Sequence, residues 1–349
     1  MRFQGQAPSL GIILDCGLGD SIDEALALAL LYGLDGKNEV RILALSISKP
    51  NLKAAAFLEA ISRFYGGASS GAFGVIGRTL PVGLADSGKL PEDTPMLTQP
   101  LARRTEDGKP LYPHGIENLN DTAEARTVLR NAIFAQADQS CVVVLTGSAT
   151  NLARMLDLSG VKEAIAQKVR FLVVTGGAYP NGEPSFNLKT DAQAAKKLFA
   201  EWPTPIVAAG DELGTALAYP AASIEKDFAW TPAHPVVDAY RAYKTMPYDA
   251  PTSAMAAVLY AVRSTVNDFK LSAPGTIRVT EDGRAQFTAA PDGKHRYLTL
   301  EAAQKESVLK TFIELASAKP VPKQPRQRRQ PPAPVEPPKA APPKPPANL

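Results

Sequence analysis

The chain has 349 residues, 45% hydrophobic and 21% charged, proportions that predict a packed core rather than a disordered chain. No apolar run approaches the roughly 18 residues that cross a bilayer, so no membrane span is expected. The net charge of +3 is unevenly spread: residues 319–349 carry seven Lys/Arg and one acid, a net +6, leaving the rest at −3, so nucleic-acid binding is not indicated.

In chain order, the N-terminal MRFQGQAPSL lacks the apolar core of a signal peptide. LGIILD (10–15) is a short buried strand ending in an acid, followed by an Ala/Leu-rich helix over 22–34. VRILALSIS (40–48) reads as a second strand, and 52–65 as a helix closed by Gly66-Gly67. GAFGVIG (71–77) is a candidate third strand. Residues 78–120, rich in Pro, Gly and charge, form a long excursion of the kind that often serves as a lid. A helix is expected over 121–136, with Asp121 or Thr122 as N-cap.

CVVVLTG (141–147) and VRFLVVTGG (169–177) are strongly β-branched strands, with a helix starting at Asn151 between them. A helix over 191–199 leads to the strand PIVAAG (205–210). Helices follow over 235–243 and 252–262, then a small hairpin over 276–290 turning at Asp282-Gly283. A helix over 300–316 closes the domain, taken as residues 1–318. The segment from Lys319 holds twelve of the 31 prolines and predicts a disordered, extended arm whose basic centre can touch an anionic partner.

Apolar strands alternating with helices predict an α/β fold, with a mainly parallel sheet covered on both faces. Ligands of such sheets sit beyond the C-terminal strand ends. There the densest chemical signal lies: Asp15-Cys-Gly-Leu-Gly-Asp20-Ser-Ile-Asp23-Glu24, four carboxylates in ten residues. Mutually repelling acids need a cation or a helix dipole, and hard oxygens without His or Cys suit Ca²⁺ or Mg²⁺. The plainer reading is ordinary helix capping by Asp20. Cys16 and Cys141 are too few for a disulfide framework or a cysteine zinc site, and His114, His234 and His295 lack zinc spacing. Gly17-x-Gly19 lacks the third glycine of a dinucleotide loop, since Ile22 stands in its place. His114 is a candidate leaving-group acid on the excursion, or a structural histidine. Tyr179, Phe186 and Trp202 are candidates for base stacking, Trp202 reading better as core.

The acidic segment resembles the opening D-x-D-x-G…D-D-A-L-A of the inosine-uridine-preferring nucleoside hydrolase family, in its longer D-T-D-M-G-N-D-V-D-D form. TGSATNLA (146–153) resembles its G-P-L-T-N-L-A turn, VVTGGAYPNGEPSFNLKTDAQAA (173–195) its M-G-G…E-F-N…D segment, and YDAPTSAMAAVLYAV (248–262) its H-D-x…A segment. The likeness spans about residues 10–275.

What the resemblance implies is a Rossmann-like enzyme that hydrolyses the N-glycosidic bond of ribonucleosides or related N-ribosides, a salvage reaction, around Ca²⁺. Asp15, Asp23 and Glu24 are then the catalytic acids. Asp15, Glu24, the Thr150 carbonyl and Asp249 are the metal ligands. Asp23, Asn51, Asn187, Glu212 and Tyr248 face the substrate. The departures are Gly17 in place of the metal-ligating general base, Ser185 in place of the E-F-N glutamate and Tyr248 in place of the histidine. They predict reduced activity or a weakened metal site, since a general base typically contributes about 10²–10⁴-fold. The alternative is a non-catalytic ribosyl-binding or scaffold protein. Family members often assemble as homo-oligomers. A complete chain is expected in the cytoplasm; one whose leader has been removed is expected to be exported, as in bacterial members of this branch.

Overall fold

The computed structural model describes residues 10–66, 80–86 and 92–321. The elements run β1 (Leu10–Cys16), α1 (Ile22–Gly36), β2 (Val40–Ile47), α2 (Leu52–Tyr65), β3 (Val82–Leu84), α3 (Pro95–Ala102), β4 (Ala123–Glu124), α4 (Ala125–Phe134), β5 (Cys141–Leu145), α5 (Thr150–Met155), α6 (Val161–Lys168) and β6 (Val169–Thr175). They continue as α7 (Phe186–Thr190), α8 (Ala192–Glu201), β7 (Ile206–Ala209), α9 (Asp211–Ala216), α10 (Ala221–Lys226), α11 (Pro235–Tyr243) and α12 (Ser253–Val262). The chain then forms β8 (Lys270–Leu271), β9 (Gly275–Val279), β10 (Ala285–Ala289), β11 (His295–Thr299) and α13 (Ala302–Ala316).

One sheet carries the fold, in the order β10-β9-β11-β7-β6-β5-β1-β2-β3-β4 with β8 on β11. From β11 through β7 to β4 all neighbours are parallel. Side chains alternate along each strand, and both faces are buried. Ile12, Leu14, Val142 and Val144 face the core shared with α1, α2, α11, α12 and α13. Ile13, Val143, Leu145 and Leu172 face the opposite core with α4, α5, α6 and α8. The chain lays β2 on one side of β1 and later returns to lay β5 on the other. The crevice outside the C-terminal ends of β1 and β5 is therefore the topological switch point, where open α/β sheets bind ligands.

α1 leads out of that crevice and is buried from Ile22 to Leu34. Gly33 lets it pack against α13: a Cβ there would strike the Leu315 carbonyl. His234 anchors α11 to α2. Its Nδ1 accepts from Val236 N at 3.2 Å and its Nε2 lies 2.9 Å from Tyr65 Oη. Phe64, Phe228 and Trp230 meet its ring edge-on. Burial pushes this imidazole down to about 3.

Several expectations are corrected. The helix expected over 121–136 is confined to 125–134, behind a 3-10 turn at 119–121 and β4. Asp121 does not cap it, because its carboxylate accepts from Glu117 N and Asn118 N at 3.0 and 2.8 Å. The excursion contributes β3 to the parallel sheet and packs α3 against α11. The expected hairpin is present as β9 and β10, at one edge of the main sheet. The short elements α6, α7, α9, α10 and β11 had no counterpart in the sequence reading. The candidate strand over 71–77 and nearly all of the basic arm lie outside the described residues.

Gly33→Ala is expected to destabilise by about 1–3 kcal/mol despite alanine's better helix propensity, because overpacking outweighs it. A lower urea midpoint at unchanged slope checks this. His234 stays neutral when folded, while the unfolded chain takes up a proton below about pH 6.5. Its contribution is complete above that pH and is lost as pH falls towards 3. NMR should find the His234 ring neutral at pH 5, and His234→Gln should remove about 2 kcal/mol from the stability difference between pH 7 and 5.

Candidate active site

β1 delivers Asp15 to the switch point fully buried, opposite Ser46 of β2 and Leu145 of β5. Its Oδ1 accepts from Ser46 Oγ at 2.8 Å and Asn151 Nδ2 at 3.0 Å. Asn151 also donates to Ile47 O at 3.1 Å, so one amide ties α5 to β1 and β2. Asp15 Oδ2 is buried with no hydrogen-bond partner. Burial dominates and raises Asp15 to about 7, against the smaller lowering effect of Asn151 and Ser46.

Ser21 caps α1, its side chain accepting from Asp23 N, so Asp23 and Glu24 fall in the first turn, where the helix dipole favours negative charge. Both are buried. Asp23 accepts from Ala254 N at 2.6 Å and Met255 N at 3.2 Å, the first amides of α12. Burial raises it to about 7 against those two bonds. Glu24 Oε2 accepts from Thr146 Oγ1 at 2.6 Å. Burial holds Glu24 well above the usual carboxylate range, Thr146 and Lys49 lower it, and Asp23 and Asp20 raise it.

Gly17 is closely surrounded by its neighbours. A Cβ there would lie 3.0 Å from Asp20 Oδ2, 3.2 Å from the Gly147 Cα and 3.6 Å from Glu24 Oε1. The Lys49 ammonium pairs with Asp20 Oδ1 beside this turn. Asn187, on α7, donates to Thr146 O at 2.8 Å and Thr175 Oγ1 at 2.9 Å. Thr150 Oγ1 donates to Asp191 at 2.8 Å and meets Ser148 Oγ at 3.1 Å. Thr146 thus joins Glu24 to Asn187, and the strand ends of β1, β5 and β6 share one polar network.

Other expected residues have local tasks. Asn51 caps α2, accepting from Ala54 N at 2.8 Å, and its amide reaches Asp93 at 3.3 Å. Tyr248 stacks on Tyr240 with ring centroids 4.4 Å apart, and each hydroxyl donates to the other's carbonyl. Asp249 is exposed and accepts from Ala221 N at 2.8 Å, holding the start of α10. Glu212 is exposed on α9, its carboxylate folded over Gly210. Trp202 is core and donates to Thr204; Tyr179 stacks on Tyr297; Phe186, beside Asn187, is 64% exposed. His114 binds the Ile116 carbonyl at 3.0 Å, in an excursion held by Glu59 through Gly115 N and Ile116 N.

The family model described as inosine-uridine preferring nucleoside hydrolase matches residues 12–310. The chain belongs to this nucleoside hydrolase family. Solved structures share the fold. The inosine-uridine preferring nucleoside hydrolase of Bacillus anthracis is 16% identical, with 88% of this chain and 99% of that one covered at a TM-score of 0.62. A plant nucleoside hydrolase is 18% identical, with 89% and 100% covered at 0.62. The purine-preferring ribonucleoside hydrolase of Gardnerella vaginalis is 17% identical, with 88% and 99% covered at 0.62. No curated protein sequence matches.

The Ca²⁺ set implied by the nucleoside hydrolase resemblance does not fit the donors in place. Ca²⁺ takes 6–8 oxygens. Asp15 presents one bare oxygen, Glu24 gives one of its two oxygens to Thr146, position 17 has no side chain and Asp249 accepts from Ala221 N at the start of α10. Among the described residues no three His, Cys, Asp or Glu side chains gather to hold a metal.

Ser46, Lys49 and Asn151 were not singled out in the sequence reading. Asn151 stood in the matched TNLA turn, but nothing in that turn shows which carboxylate its amide meets. Asn151→Ala should destabilise by about 1–3 kcal/mol, because it strips a partner from a buried carboxylate and a buried carbonyl. A chemical denaturation curve checks this.

Proposed function

We propose that the protein hydrolyses the N-glycosidic bond of a ribonucleoside or related N-riboside, at a rate reduced by glycine at position 17. The observation that carries this reading is the burial of Asp15 at the end of β1, and of Asp23 and Glu24 in the first turn of α1, in a nucleoside hydrolase fold. N-glycosidic cleavage passes through an oxocarbenium-like state, and negative charge held beside the sugar stabilises it. A water-poor crevice strengthens that effect.

In this reading the pentose lies over the ends of β1 and β5. Asn187 and Asp23 flank it and orient its hydroxyls, and Phe186 offers an exposed ring towards the base. Glu24 Oε1 and Asp20 Oδ2, carboxylate oxygens close to Gly17, take the proton of the attacking water in this reading. Base and ribose are the products, the chemistry of nucleoside salvage.

The second reading, a ribosyl-binding protein without turnover, is favoured by one observation: both Asp23 oxygens already hold amides of α12. Ribose release from a panel of purine and pyrimidine nucleosides separates the two. Hydrolysis predicts measurable release that falls at least ~10²-fold in Glu24→Gln, with ribose binding retained. Absence of release from every nucleoside, with ribose still bound, would overturn the hydrolase reading in favour of the binder.

A further inference from the structure

We propose that the Lys49 ammonium, rather than a divalent cation, is the resident positive charge of this site. The inference rests on reading the crevice as a pentose site, and its test uses no sugar.

Lys49 follows β2 at the mouth of the crevice, and its side chain is only 11% exposed. Its backbone is held between Ser48, whose amide bonds Cys16 O at 2.9 Å, and Asn51, the α2 cap, whose amide bonds Lys49 O at 2.9 Å. The ammonium pairs with Asp20 Oδ1 and lies 3.4 Å from where a Gly19 Cβ would stand, over the acidic turn. The other Asp20 oxygen and Glu24 Oε1 flank the space beside Gly17. Lysine, Asp20, Gly17 and Glu24 therefore form one contiguous patch.

The donors that would cage a metal are reduced in the same place. Glycine removes a carboxylate at 17, and Asp249 is engaged by Ala221 N at 2.8 Å. A compact ammonium with three donors, one given to Asp20, supplies positive charge beside Glu24 and keeps donors for the vicinal hydroxyls of a pentose. A dication beside it would meet repulsion.

Equilibrium dialysis and thermal unfolding of the full chain, with CaCl₂ or EDTA, test this directly. Wild type should bind no stoichiometric Ca²⁺ and melt within about 1 °C in the two conditions, since only a ligand bound to the folded state raises the midpoint. Gly17→Asp restores a carboxylate but keeps the lysine. Adding Lys49→Met to Gly17→Asp should raise Ca²⁺ affinity at least ~10-fold over Gly17→Asp alone, whereas adding Lys49→Arg should not. Cooperative unfolding of each variant verifies folding. One Ca²⁺ per wild-type chain, or equal Ca²⁺ affinity with and without Lys49, would overturn the proposal. Failure of nucleoside hydrolysis would leave it standing.

Discussion

Burying several carboxylates at one point of a sheet is the constraint around which this protein is organised. An isolated buried charge is costly, and a bare one shifts its pKa or recruits partners. Here the partners come from every element that meets at the switch point. Ser46 and Asn151 answer Asp15, Thr146 answers Glu24, and the first amides of α12 answer Asp23. Lys49 answers Asp20. The compensation is incomplete, since Asp15 Oδ2 has no partner and burial still raises Asp15 and Asp23 to about 7.

The same bonds build the fold. Asp23 joins the start of α1 to the start of α12, and Asn151 joins α5 to two strands. The acids are therefore structural and chemical at once, and a substitution there moves both properties. Gly17 is the contrasting position. It carries no side chain, and Asp20, Glu24 and Gly147 pack closely around it. Membership in the nucleoside hydrolase family fixes the architecture.

Legibility in the sequence followed burial. β1, β2, β5, β6 and β7 were plain because strands buried on both faces are continuous apolar runs, and long helices such as α1 and α13 because periodicity accumulates with length. α7, α9 and α10 are five or six residues long, too short for a periodic signal. β3 is a Val-Gly-Leu step that becomes a strand only through its pairing with β2 and β4. At the site, Asp15, Asp23, Glu24 and Asn187 were legible as motif members; Thr146 links Glu24 to Asn187, while Asp15 bonds Ser46 and Asn151 and Asp23 bonds α12. Asn51, Tyr248 and Asp249 were legible in the same way, yet capping and ring stacking engage them locally. Motif order records ancestry, whereas side-chain direction depends on neighbours distant in sequence. Lys49 carried no motif at all and emerges only from its pairing across the turn.

A crystal soaked together in ribose and CaCl₂, with anomalous data collected for calcium, interrogates the whole arrangement at once. The account predicts pentose density over the ends of β1 and β5, beside Glu24, Asn187 and Lys49, without an anomalous peak. An anomalous peak between Asp15, Glu24 and Asp249, or ribose seated away from the switch point, would contradict it.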